Sequence, residues 1–211
     1  MWKKILAPLF VVMAAFVFTQ QAAAAAEFKE GVHYQVKTDK LTPKKEIREF
    51  FSFWCGHCFQ LQKDFASIKA AFPNAAFELN PVSMMGGNMG PESQFGLVIA
   101  QNLGLEEIYV KELFKAMHED GNIPRTHADM VAFANKIGIP SNKFEQEYKS
   151  FIVAGKVSRM DKWAEQAGIE AVPEILVNGK YLVTMESVDD VEGLKQIIAY
   201  LLDKDNVPDA K

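Results

Sequence analysis

Cysteine is nearly absent, with two in 211 residues. An exported chain braced by disulfides carries several cysteines at scattered spacings. Here the two are Cys55 and Cys58, and the loop they would close is too short to remove much unfolded-state entropy. Structural stapling therefore explains them poorly. Zinc takes second place, because a tetrahedral site wants four ligands. Besides the Cys-x-x-Cys pair the chain offers only His33, His57, His118 and His127. Redox chemistry is the reading left for the pair.

An excess of positive charge is also missing, since the formal net charge is −4. Long apolar runs are missing after the first twenty residues. Lys3 and Lys4, the apolar stretch from Ile5 to Phe18, and Ala22 to Ala26 have the order of a secretory signal, with cleavage expected near Ala26. The apolar run is shorter than the ~20 residues a spanning helix needs. Losing two lysines and no acids takes the charge from −4 to −6. A mildly acidic product argues against nucleic acid or anionic membrane as its main partner. Apolar residues make up 49% of the chain, sixteen of them phenylalanine, enough for a core without crosslinks.

Around the cysteines the sequence is dense with information. Glu46 to Trp54 is apolar and aromatic and predicts a buried strand. Phe59, Leu61, Phe65, Ile68, Ala71 and Phe72 then recur at helical spacing until Pro73. Cys55 therefore falls on a strand-to-helix turn, where unpaired N–H groups and the helix dipole favour an anion. It should ionise more readily than a free cysteine, and His57 would add to the effect by donating a hydrogen bond or a charge. Cys58, one turn further in, should be shielded. The pair divides into an attacked and attacking sulfur, Cys55, and a resolving one, Cys58.

The rest of the mature chain supplies a sheet and a helical block. His33 to Val36 predicts an edge strand, and Ala75 to Val82 a second core strand, so strand, helix and strand form a parallel βαβ unit. The glycine-rich stretch Met84 to Pro91 predicts a loop, whose methionines are either core filler or an adaptable peptide-binding surface. Ser93 should open a helix, and Glu106 to Met117, with Ile108 on its apolar face, should form another. Thr126 should cap a third helix, and Ser141 one long helix through Val157. His33 reads as a surface residue, and His118 and His127 sit on polar margins with no role assigned. Val172-Pro173 leads a strand into the Asn178-Gly179 hairpin signal, and Val188 to Leu202 predicts the last helix. The expectation is an α/β fold divided as signal 1–26, first part 27–92, helical insertion 93–168 and second part 169–211.

This order of parts looks like a thioredoxin fold with an inserted helical subdomain. Glu49-Phe50-Phe51-Ser52-Phe53 before Cys55, Met85-Gly86-Gly87, and Val172-Pro173 leading to Val177-Asn178-Gly179-Lys180-Tyr181 resemble the DsbA family of periplasmic thiol–disulfide oxidoreductases. The resemblance spans essentially the whole mature chain. It implies Cys55 as nucleophile, Cys58 as resolving cysteine, His57 as stabiliser of the Cys55 thiolate, and a cis Pro173 facing the pair. Glu49 matches a buried acid that assists proton transfer. Met84, Met85, Gly86, Val172 and Trp54 fall in the substrate-binding region. No metal or cofactor is implied. The partners implied are reduced secreted proteins and, for re-oxidation, a membrane quinone-linked oxidase of the DsbB type, with the protein itself a monomer in the periplasm.

Three positions depart from the family pattern. Gly56-His57 replaces its usual Pro-His and, with Trp54, matches protein disulfide isomerase. The apolar region around Leu79 stands where a lysine normally pairs with the Glu49 equivalent, and Gln62 stands where an acid is usual. Rival functions are an isomerase or reductase of the same compartment, and a non-catalytic peptide-binding module. The isomerases there carry an N-terminal dimerisation domain, for which this chain has no room.

Overall fold

A computed structural model describes residues 28–211. The expected signal segment lies outside the described residues. The chain order is β1 (Tyr34–Val36), β2 (Glu46–Phe51), α1 (Gly56–Gln60), α2 (Gln62–Ala71), β3 (Ala76–Pro81), then five helices. These are α3 (Met89–Asn102), α4 (Glu106–His118), α5 (His127–Lys136), α6 (Ser141–Tyr148) and α7 (Phe151–Ala167). The chain closes with β4 (Glu174–Val177), β5 (Tyr181–Val183) and α8 (Val191–Asp203).

The five strands form one sheet in the order β1-β5-β4-β2-β3. Strands β2 and β3 are parallel, as the α1–α2 crossover requires, and the other pairs are antiparallel. Asn178 and Gly179 take φ of 52° and 69°, and the Lys180 N–H closes the turn on the Val177 carbonyl at 3.0 Å. That is the left-handed pair of a type I′ hairpin, which only residues such as Asn and Gly adopt cheaply.

Alternation along β2 sorts the core into layers. Ile47 joins Phe65, Ile68, Ile175 and Ile197 beneath α2 and α8. Phe50 faces the other way with Leu176 and Leu182, under Ala167 of α7. Phe51 and Phe53 run on into a third cluster that includes both cysteines and Leu97, Tyr109, Phe114 and Phe144 of the helical block. The cysteines thus belong to the seam between sheet and helices.

Several predicted boundaries move. Strand β2 ends at Phe51, and Ser52 to Trp54 form the turn into the cysteines. The cysteine helix breaks at Leu61, beside which the Gln62 side-chain amide donates to the Cys58 carbonyl at 3.3 Å. Helix α3 starts at Met89 rather than Ser93, and its first turn packs so tightly on the preceding loop that position 90 admits only glycine. A Cβ there would lie 2.3 Å from the Ser83 carbonyl oxygen. The long helix from Ser141 is two helices, with Ser150 Oγ capping α7 through the Ile152 N–H. On α4 the buried face is Tyr109, Val110, Leu113, Phe114 and Met117, whereas Ile108 is 40% exposed. The last helix begins at Val191 because Asp190 caps it, accepting from the Gly193 N–H at 2.8 Å.

Candidate active site

Cys55 is the N-cap of α1, and its extended backbone (φ −96°, ψ 108°) turns the chain from strand into helix. Its sulfur accepts the Cys58 N–H at 3.0 Å, one of the donors a helix start leaves unpaired. Cys55 and Cys58 are joined as a disulfide. Cys58 is fully buried, and Cys55 retains 7% exposure. The two sulfurs are therefore inequivalent: an incoming thiolate can reach only Cys55.

The turn is held from both sides. The Ser52 carbonyl accepts the Cys55 N–H and the Ser52 hydroxyl accepts the Trp54 N–H, both at 3.1 Å. His118, at the end of α4, donates from Nε2 to the Phe53 carbonyl at 2.8 Å and stacks on Phe59 with ring centroids 5.0 Å apart. Nothing local to α4 in the sequence reveals this contact, so His118 has no role legible there. Across from the disulfide, the Val172–Pro173 bond is cis, and the Val172 carbonyl oxygen lies 3.7 Å from Cys55 Sγ. His57 is exposed on α1 and lines two adjoining grooves of about 190 and 360 Å³.

Trp54 and the methionine loop form the opposite rim. Gly86 has φ of 83° and lies flat on the indole, so close that a Cβ would sit 2.5 Å from the ring. Met84 is 51% exposed, Met85 packs partly against the core, and Met89 is buried. Met89 is thus core filler, whereas Met84 stays at the surface.

Glu49 is 1% exposed beneath the cysteine helix, level in the sheet with Leu79. Its Oε1 has no hydrogen-bond partner among the described residues. Burial pushes its carboxyl up to about 8. It also lines a groove of about 510 Å³ between α2 and α4, with Phe59, Leu79 and Phe114. A second acid, Glu174, follows cis Pro173 directly, and burial pushes it up to about 7. Its only sequence signal is a weak one, an acid opening a strand otherwise apolar.

A lone pair of cysteines with one reachable sulfur, and with no cluster of three or more metal-binding side chains among the described residues, is suited to exchange with other thiols. On this sheet it makes the chain a thiol–disulfide oxidoreductase of the thioredoxin class. Residues 46–199 match the DSBA-like thioredoxin domain, and the chain belongs to that family. The thiol:disulfide interchange protein DsbA of Pectobacterium carotovorum subsp. carotovorum is 29% identical over 191 residues, covering 89% of each chain. A crystal structure of DsbA from Klebsiella pneumoniae superposes with a TM-score of 0.76 at 28% identity, covering 85% of this chain and 100% of that one. Proteus mirabilis DsbA, solved with a non-covalently bound peptide, shares the fold with a TM-score of 0.77 at 23% identity, covering 84% and 99%.

Proposed function

We propose that the protein is a periplasmic oxidant that donates the Cys55–Cys58 disulfide to newly exported proteins. A substrate thiolate attacks Cys55 Sγ, a new intermolecular S–S bond forms, and the Cys55–Cys58 bond breaks with Cys58 leaving as thiolate. A second substrate thiolate then attacks the substrate sulfur of that mixed disulfide. Cys55 leaves as thiolate, the substrate gains a disulfide, and the protein is left with two thiols. A DsbB-type quinone-linked oxidase of the membrane restores the pair.

The observation that carries the direction is the Cys58 N–H aimed at Cys55 Sγ at 3.0 Å. A donor fixed on that atom stabilises it as a thiolate. Whatever stabilises the reduced form makes the disulfide easier to give away. His57 beside the pair and cis Pro173 across from it have the roles the family implies, thiolate stabilisation and peptide positioning. Glu49, buried and holding its proton to about 8, is suited to moving a proton near the leaving sulfur. The exposed Met84 and the grooves beside His57 offer the substrate a surface, and a peptide bound to the Proteus mirabilis relative supports a polypeptide substrate.

The test is to mix the oxidised protein with an equal amount of a reduced, unfolded secretory protein. One disulfide should appear in the substrate per protein reduced. Failure to transfer it, with the Cys55–Cys58 bond intact, would refute the reading. Reactivation of scrambled ribonuclease at rates typical of isomerases would favour the isomerase instead.

A further inference from the structure

The cavity of about 190 Å³ beside Pro173 is bounded by His57, Val172, Glu174 and Glu186. Nothing in the exchange chemistry calls for acids there. Glu174 is held at the start of β4, level with Phe50 of β2, so its position is set by the sheet and not by a loop. Its carboxylate is only partly buried: Oε2 is shut off from solvent with no hydrogen-bond partner among the described residues, while the residue as a whole keeps partial exposure on the cavity. A carboxylate with one oxygen left unpaired is costly, and a cation arriving at its exposed side recovers part of that cost.

The surrounding charges leave the partner position open. Glu186 on the same cavity and Glu170 nearby are both negative, and each disfavours ionisation of Glu174. Lys37 is the cation that acts on Glu174, but its ammonium sits beside Gly168, at the carbonyl end of α7. Among the described residues no ion pair forms with Glu174 within 4 Å. His57 forms the wall toward the disulfide.

We propose that this cavity is a substrate subsite for a lysine or arginine side chain flanking the reacting cysteine. The proposal rests on the oxidant reading above and adds a preference for basic peptides. An extended substrate whose sulfur meets Cys55 runs past Val172, and its neighbouring side chain then enters between Pro173 and Glu186. There the cation pairs with Glu174, and its alkyl stem lies along Leu182 and Val183. Burial holds Glu174 up to about 7, against the pull of Lys37 and with the push of Glu186 and Glu170. The preference therefore strengthens as pH rises through neutrality and the carboxylate forms.

The test uses one cysteine peptide with a lysine, glutamine or glutamate placed in turn at the two positions on each side of the cysteine. The second-order rate of mixed-disulfide formation is measured with the oxidised wild type and with Glu174→Gln. Dividing the lysine-to-glutamine rate ratio of the wild type by that of the variant removes the lysine's own effect on the peptide thiol. At one position this double ratio should be about fivefold, the scale of a partly exposed ion pair, and it should fall at high salt and below pH 7. Glu186→Gln, at the rim, should lower the ratio less, and covers the case of a misfolded Glu174 variant. A double ratio near one at all four positions, with the glutamine peptide oxidised normally, overturns the subsite alone. Failure of the wild type to oxidise any peptide overturns the oxidant reading instead.

Discussion

The N–H of Cys58 points at the sulfur of Cys55 from 3.0 Å, while the sulfur of Cys58 is itself shut away from solvent. One cysteine is therefore exposed to attack and electrostatically favoured as leaving group, and the other can act only within the pair. Replacing Cys55 by serine should abolish disulfide transfer. Replacing Cys58 should instead leave substrates covalently held on Cys55, because the resolving thiol is gone. Non-reducing gels of each variant incubated with a substrate disulfide would separate the outcomes, and equal trapping by both would contradict the division.

Glu49 should make the fold less stable as pH rises. The unfolded chain releases this proton near 4.5, whereas the folded protein holds it to about 8. Between those values the native state binds more protons, so stability falls with increasing pH and levels off above 8. Glu49→Gln mimics the protonated acid and should remove that slope. At pH 7 it should be more stable by about 3 kcal/mol, at 1.36 kcal/mol per pH unit. Urea unfolding from pH 5 to 9 measures this, and parallel curves for both proteins would rule it out.

Gly86→Ala should disturb the rim opposite the disulfide. The added Cβ would overlap the Trp54 ring, and φ of 83° is strained for alanine. A loss of about 1–3 kcal/mol is expected. Trp54 fluorescence should shift, and peptide oxidation should slow more than reaction with glutathione, which needs little of this surface. An unshifted fluorescence spectrum would refute the contact.

His118→Ala should cost about 1–2 kcal/mol, because it leaves the Phe53 carbonyl unpaired two residues before Cys55. His118→Gln, which can still donate, should recover part of it. Thermal unfolding of the three proteins checks this. A redox potential displaced in the alanine variant and restored in the glutamine variant would mark His118 as a positioning residue for the pair and not a general support.

The cysteine turn was legible in the sequence because each of its signals is local: an aromatic strand, a Cys-x-x-Cys pair and a helical repeat follow one another within some twenty residues. Asn178-Gly179 was legible for the same reason. Other features are set from a distance. Gly90 lies in the first turn of a helix, and is glycine because the Ser83 and Met85 carbonyls crowd it, whereas composition presents it as loop. Helices α6 and α7 separate at Ser150, leaving Phe151 94% exposed, although its apolar character argues for core. His118 and Glu174 acquire their places only when α4 and β4 meet the active-site turn. Glu49 was visible as an acid in an apolar strand, but its lack of a partner is a property of the folded seam.

The most direct test of the account is the equilibrium of the Cys55–Cys58 pair with a glutathione redox buffer. A helix-start donor on Cys55 should place the reduction potential between about −180 mV, the disulfide isomerase value, and about −120 mV, that of DsbA itself. A value near the −270 mV of thioredoxin, about 4 kcal/mol or more toward a stable disulfide, would contradict it and make the protein a reductant.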